Sequence, residues 1–237
     1  MKIHYLQHVP FEGPANIEAW AKSRGHDLTR TQLFLDEKLP EIAHFDWLII
    51  MGGPMNIYEL DKYPWLEREK EFISQAIAGD KIVLGICLGA QLMADVLGGK
   101  VRRNEYREIG WFPVKLAEEG KASPIFAVLP ERFTALHWHG DTFEIPPGAL
   151  RSAESRACPN QAFMVGKAIG LQFHLESSQS GIASLLHNCA DELTEGPYVQ
   201  TAEELLAPPD QFSQLQGLME LFLDKMEAEL GPVREAS

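Results

Sequence analysis

Apolar residues fall in short blocks along the first hundred positions of this 237-residue chain. Residues 2–8, 46–51 and 82–86 are near-continuous runs containing Trp47-Leu-Ile-Ile50 and Ile82-Val-Leu-Gly-Ile86. Runs of that length with β-branched residues read as strands buried on both faces, as in a parallel sheet. Residues 27–35 alternate instead, with Leu28, Arg30, Gln32 and Phe34 against Thr29, Thr31, Leu33 and Leu35, and predict a further strand. Between the strands the spacing turns helical. Residues 14–24 carry Ile17, Ala19 and Trp20, with Pro14 near the start and Gly25 at the stop. Residues 64–79 set Trp65, Leu66, Phe72, Ile73, Ala76 and Ile77 on one face, and Glu67, Arg68, Glu69 and Lys70 on a wet one. Residues 90–97 form a third helix that stops at Gly98-Gly99. Strands alternating with helices predict an α/β fold of three layers, a mostly parallel central sheet flanked by helices.

Beyond residue 100 the rhythm changes. Residues 101–103, 111–116 and 133–138 are strand-like and lie between turn residues, which predicts an antiparallel extension of the sheet. Residues 162–165 and 168–174, joined by Gly166-Lys167, read as a hairpin. A helix follows at 181–193, then a break at Gly196-Pro197. Residues 210–230 place Phe212, Leu215, Leu218, Met219, Phe222 and Met226 on one stripe of a last helix, with Asp210 or Ser213 as its cap. The expected organisation is one domain over residues 1–195 and a helical extension over 196–237 that packs on the domain or on a partner.

Composition narrows the function classes. With 34 acidic against 21 basic residues, the formal net charge is −13, which repels phosphates and argues against nucleic-acid binding. No apolar run is long enough for a membrane helix, and the chain enters a strand with no signal peptide before it, so a cytoplasmic protein without membrane partners is expected. Cys87, Cys158 and Cys189 are odd in number and widely spaced, with no disulfide or zinc pattern.

One cysteine has a context. Residues 85–89 read Gly-Ile-Cys-Leu-Gly, a strand before and a helix after. A free cysteine is ordinarily a small buried hydrophobe. Two flanking glycines at a strand–turn–helix junction instead make Cys87 the nucleophile of an elbow, with a helix N-terminus aimed at its sulfur to favour thiolate. His174 ends an apolar strand, and Glu176, two residues on, points to the same side of an extended chain. Alone, each is a strand-end histidine or a solvated glutamate; together they suit a base and the acid that orients it. Gly52-Gly53-Pro54 ends another strand. It is a plain turn, or it supplies the Gly53 N–H that joins the Leu88 N–H in an oxyanion hole. These glycines and Cys87 lie at strand C-termini, where open α/β sheets bind ligands.

In order along the chain, Gly52-Gly-Pro54, Gly-Ile-Cys-Leu-Gly-Ala-Gln at 85–91, His139-Gly140-Asp141 and Gln172-Phe-His-Leu-Glu176 resemble the class I (triad-type) glutamine amidotransferase family, close to the glutaminase domain of GMP synthase. The resemblance spans about residues 46–176. It implies a flavodoxin-like fold and a Cys87–His174–Glu176 triad that hydrolyses the side-chain amide of glutamine through a glutamyl thioester. It also implies that the Gln91 side chain and the backbones of Leu88, Gly140 and Asp141 hold the substrate. Two departures stand out. Leu175 replaces the family's proline between histidine and glutamate, and no ATP-pyrophosphatase domain or P-loop follows. The ammonia is then expected to pass to a separate synthase. A free-standing γ-glutamyl hydrolase, differing only in the leaving amine, is the alternative, and a non-catalytic binding module on the same fold the second. No cofactor and no metal are expected: His137 and His139 share a strand face, but no third ligand is spaced to join them. Cys158 and Cys189 read as structural, and Glu192, Glu195 and Glu203-Glu204 as solvated.

Overall fold

The computed structural model describes residues 1–207 and 209–231. In chain order the elements are β1 Lys2–Gln7, α1 Asn16–Ser23, β2 Asp27–Gln32, β3 Trp47–Ile50, α2 Trp65–Ala78, β4 Ile82–Ile86, α3 Leu88–Val96, β5 Val101–Leu116, α4 Glu118–Ala122, β6 Arg132–Phe143, β7 Leu150–Glu154, β8 Ala162–Val165, β9 Ala168–Leu171, α5 Gln179–Cys189, α6 Ala202–Leu206 and α7 Pro209–Leu230. The strands form one mixed sheet in the order β2-β1-β3-β4-β9-β8-β7-β5-β6. From β2 to β9 the pairs are parallel. From β9 outward to β6 they are antiparallel, which is the predicted extension. The apolar runs of β3 and β4 sit at the centre of the parallel half, and Trp47, Leu48, Ile49 and Ile50 are all fully buried.

Several boundaries differ from the periodicity. The second strand stops at Gln32, because residues 33–35 tighten into a 3₁₀ turn that buries Leu33 and ends on Asp36 with φ 53°. The segments 101–103 and 111–116 belong to one 16-residue strand, bridged by polar residues, with a register shift against β6 between Arg103 and Glu108. β6 runs through His139-Gly140-Asp141, and β7 and α6 went unread in the sequence. β9 ends at Leu171, yet the His174 N–H still donates to the Leu136 carbonyl at 2.8 Å, so the chain stays laced to β6. α7 starts at Pro209, so Asp210 and Ser213 lie inside it and its cap position falls outside the described residues. Glu69 is a further correction: on α2's supposedly wet face, it is fully buried.

α7 packs back over α1. Leu215, Met219, Phe222, Leu223 and Met226 are buried in the core shared with β1 and α1. The Trp20 indole N–H and the Arg24 guanidinium both donate to the Asp224 carboxylate, at 2.8 Å and 2.6–2.9 Å. Among the described residues no helix is long and apolar enough to cross a membrane.

Candidate active site

The elbow after β4 has the geometry its glycines require. Cys87 sits at φ 51°, ψ −106°, a conformation L-residues avoid at a cost of about 1–3 kcal/mol. The strand and helix that flank it are too close for side chains. A Cβ at Gly85 would lie 2.6 Å from the Gly89 carbonyl, and one at Gly89 would lie 2.2 Å from the Ile50 carbonyl oxygen. Leu88 opens α3, so its N–H has no intrahelical acceptor. Cys87 is buried, and its thiol donates weakly to the Trp138 carbonyl at 3.6 Å.

His174 and Glu176 meet as the sequence predicts. The His174 Nδ1–H donates to Glu176 Oε1 at 2.6 Å, and the buried Nε2 is left to the Cys87 sulfur. Burial alone would lower the His174 pKa. The Glu176 charge and hydrogen bond, with the Cys87 sulfur beside it, outweigh burial and hold it well above the ordinary range. Leu175 is fully buried, and the loop is held by Asn16 rather than by a proline ring. The Asn16 backbone N–H donates to the Glu176 carbonyl at 3.0 Å, and its amide donates to the Leu175 and Ser177 carbonyls at 3.3 and 3.1 Å.

Gly52 lies between the two catalytic candidates. A Cβ there would be 3.3 Å from His174, 3.7 Å from the Cys87 Cβ and 2.7 Å from a Glu12 carboxylate oxygen. One at Gly53 would be 3.0 Å from Leu88 and from His8. The Gly52 carbonyl is pinned from behind. His8 Nδ1 donates to it at 2.9 Å, and His8 Nε2 donates to the buried Glu69 at 2.8 Å. Burial lowers the His8 pKa, and the Glu69 charge and hydrogen bond more than reverse that, so the net shift is upward.

Gly53, Cys87, Gln91, Gly140, Asp141 and His174 line one cleft of ≈ 360 Å³, while Glu176 stands behind His174. The Gln91 amide donates to the Asp141 carbonyl at 3.2 Å and to Gln172 Oε1 at 3.1 Å, and the Asp141 carboxylate accepts the Tyr58 hydroxyl at 2.7 Å. Glu12, Tyr58, Arg103 and Arg107, which the sequence did not single out, complete the walls with Cys189, read there as structural, and Glu192, read there as solvated. Glu12 follows β1, and its place beyond a strand C-terminus was the available signal. Burial raises its pKa to about 7, against the pull of His174 and His8. Glu192 is also raised by burial and is no solvated face. Glu203 and Glu204 are exposed as expected, and Glu204 closes a capping box with Thr201. Burial pushes the Cys189 thiol to about 12 and the Cys158 thiol to about 11. The expectation of no third partner for His137 and His139 fails, because Glu108 on β5 stands opposite His139 and reaches both rings.

The family profile of glutamine amidotransferase class-I matches residues 15–193. A glutamine amidotransferase-like protein of Salmonella typhimurium, YfeJ, is 30% identical over 95% of this chain and 97% of its own. GMP synthase (glutamine-hydrolyzing) of Thermomicrobium roseum is 35% identical over 65% of this chain, which is 29% of that protein's length. Among solved structures, a glutamine amidotransferase of Thermotoga maritima superposes with a TM-score of 0.87 at 31% identity over 95% of this chain and 97% of that one. One from Methylobacillus flagellatus gives 0.90 at 28% identity over 100% and 97%. Matched over most of its length in sequence and in fold, this chain belongs to the glutamine amidotransferase class-I family.

Proposed function

We propose that the protein hydrolyses the side-chain amide of glutamine with Cys87 as nucleophile. The observation that carries this reading is the buried His174: its Nδ1–H is held by Glu176, and its Nε2 is left to a cysteine on a positive-φ elbow. Nε2 takes the thiol proton as sulfur attacks the amide carbon. The oxyanion forms against the N–H groups of Gly53 and Leu88. His174 then passes its proton to the departing nitrogen, leaving a glutamyl thioester and ammonia. Water adds to the thioester with His174 again as base, and glutamate leaves as the thiol is restored. Gln91, Gly140 and Asp141 hold the amino-acid end, with Tyr58 fixing the Asp141 carboxylate. The ammonia passes to a separate acceptor enzyme, in keeping with the likeness to one part of GMP synthase.

A second reading, hydrolysis of γ-glutamyl amides by the same steps, draws on the shape of the cleft. Its walls also include Glu12, Leu185, Cys189 and Glu192, more room than departing ammonia needs. The test is purified protein against glutamine and a panel of γ-glutamyl amides, with Cys87→Ala as the blank. Glutamate release from glutamine that Cys87→Ala abolishes supports the first reading. Turnover confined to larger amides supports the second. Hydrolysis undiminished in Cys87→Ala overturns both.

A further inference from the structure

A buried polar cluster lies beside the cleft where β5 and β6 pair. Glu108 faces His139 across the ladder, and His137 lies two residues back on the same strand face. Glu108 Oε2 is 3.1 Å from His139 Nε2 and 3.9 Å from His137 Nδ1, and the three side chains are almost wholly buried. Their ligand-type atoms all lie within 4.8 Å of one another. The Gln161 amide caps the group, with its nitrogen 2.7 Å from Glu108 Oε2, 3.4 Å from His137 Nδ1 and 3.5 Å from His139 Nε2. Tetrahedral ligands bound at 2.0–2.2 Å stand about 3.4 Å from one another. The separations from Glu108 and from the Gln161 amide run from 2.7 to 3.9 Å around that value, and the two ring nitrogens lie within 4.8 Å of each other.

Proton bookkeeping shows what the cluster lacks. His139 Nδ1 is 3.0 Å from the Asp141 carbonyl oxygen, which can only accept, so that nitrogen carries the hydrogen. In a neutral ring the lone pair then sits on Nε2, aimed at a carboxylate oxygen 3.1 Å away. Lone pair against lone pair, out of water, needs a cation between them, either a second ring proton or a metal ion. Gln161 cannot supply enough. Its nitrogen brings two N–H bonds to four neighbouring acceptors: Glu108 Oε2, Ser155 Oγ and the two ring nitrogens. Meanwhile Gln161 Oε1 is buried with no donor at all. Turning that amide over would give a cation a fourth ligand oxygen, in exchange for the nitrogen's bonds to Glu108 Oε2 and Ser155 Oγ.

We propose that Glu108, His137, His139 and Gln161 form a buried site for one divalent transition-metal ion, zinc by its two-nitrogen, two-oxygen donor set. The His139 Nδ1–H bond to a backbone carbonyl is the outer support such ligands use. The ion enters from a second cleft of ≈ 510 Å³, which Glu108 and Ser155 also line. Its role is positional. Asp141's carbonyl accepts both from His139 and from Gln91, so a metal on His139 fixes the strand that carries the amino-acid end of the cleft.

The test uses full-length Cys87→Ala protein, so that the Cys87 and His174 pair cannot capture the ion. It is stripped with chelator and titrated with zinc alone, then with cobalt. Expected are one zinc per chain, a higher melting temperature with zinc, and the intense visible absorption of tetrahedral cobalt. Glu108→Gln, close in shape, should weaken zinc binding at least about a hundredfold, and His137→Asn should do likewise. If both variants fail to fold, the stoichiometry and cobalt spectrum of the unmutated cluster decide. No stoichiometric zinc with no cobalt band overturns the proposal, and so does zinc bound equally well by Glu108→Gln. The cation between His139 and Glu108 would then be a proton.

Discussion

The buried pair behind the proposed oxyanion loop can be tested by changing one atom. Both ring nitrogens of His8 face acceptors, Gly52 O at 2.9 Å and Glu69 Oε1 at 2.8 Å, so both carry hydrogens and the ring is cationic. Glu69 Oε2 has no partner, and both residues are sealed from solvent. Glu69→Gln keeps the shape and an acceptor but removes the charge. The ring must then give up a proton or stay charged without a counter-ion. Removing one partner of a buried ion pair costs about 3–5 kcal/mol. Because glutamine still accepts, the lower end, about 3 kcal/mol, is expected. At about 2–4 °C per kcal/mol for a domain of this size, the melting temperature should fall by roughly 6–12 °C. Catalysis should suffer too. Losing an oxyanion donor outright costs about a hundred- to a thousandfold, and a loosened Gly52-Gly53 loop is expected to cost part of that, in kcat more than in KM. The pH dependence fixes the sign. The His8 pKa is raised in the folded protein, so its stabilisation is complete below about pH 6.5 and is lost as pH rises through the folded value. Melting followed from about pH 5 to about pH 9 should show that decline in the wild type and a flattened one in Glu69→Gln. A folded variant with wild-type melting temperature, pH slope and kcat would refute the assignment.

Three further outcomes follow from the same structure. Glu12 titrates at about 7 rather than 4.5, so the folded protein holds a proton the unfolded chain has lost, and stability should fall as pH rises across that interval. Glu12→Gln should remove that fall and delete an ionisation near neutrality from the kcat/KM profile, whereas an identical profile counts against a role beside His174. Asn16→Ala frees the loop that Leu175 does not stiffen, and should cost about 1–2 kcal/mol by denaturant melting and lower kcat severalfold with KM little changed. Phe222→Ala, fully buried on α7 and edge-on to Phe126, should cost about 3–5 kcal/mol, and a loss under about 1 kcal/mol would mean that α7 is not part of the folding unit.

What the sequence disclosed and what it hid divide along one physical line. Interactions between residues near in sequence leave a local mark. The elbow is legible because close strand–helix packing forces glycine at 85 and 89, and His174 with Glu176 because a two-residue step shares a side. The parallel half of the sheet is legible because a strand covered on both faces must be apolar throughout. Polar residues buried by distant partners leave no such mark. Glu69 sits among Glu67, Arg68 and Lys70 and looks wet until His8, 61 residues away, is brought against it. Glu108 lies in the polar middle of β5, which hid the strand and the residue together, and its place opposite His139 depends on a register shift that no periodicity records. Glu12 is one acid in a loop until the sheet sets that loop over Gly52. The hidden residues are thus buried or half-buried charges set around the proposed nucleophile, one behind the proposed oxyanion loop, one under the strand that holds Asp141, one beside the proposed base. A thiol, an imidazole and a carboxylate in the right order are enough to propose a class of chemistry from the chain, and the motifs around them to read the family. The distant charges hold those groups in place, and substitutions at Glu69, Glu108 and Glu12 should therefore separate the positioning of this site from its chemistry.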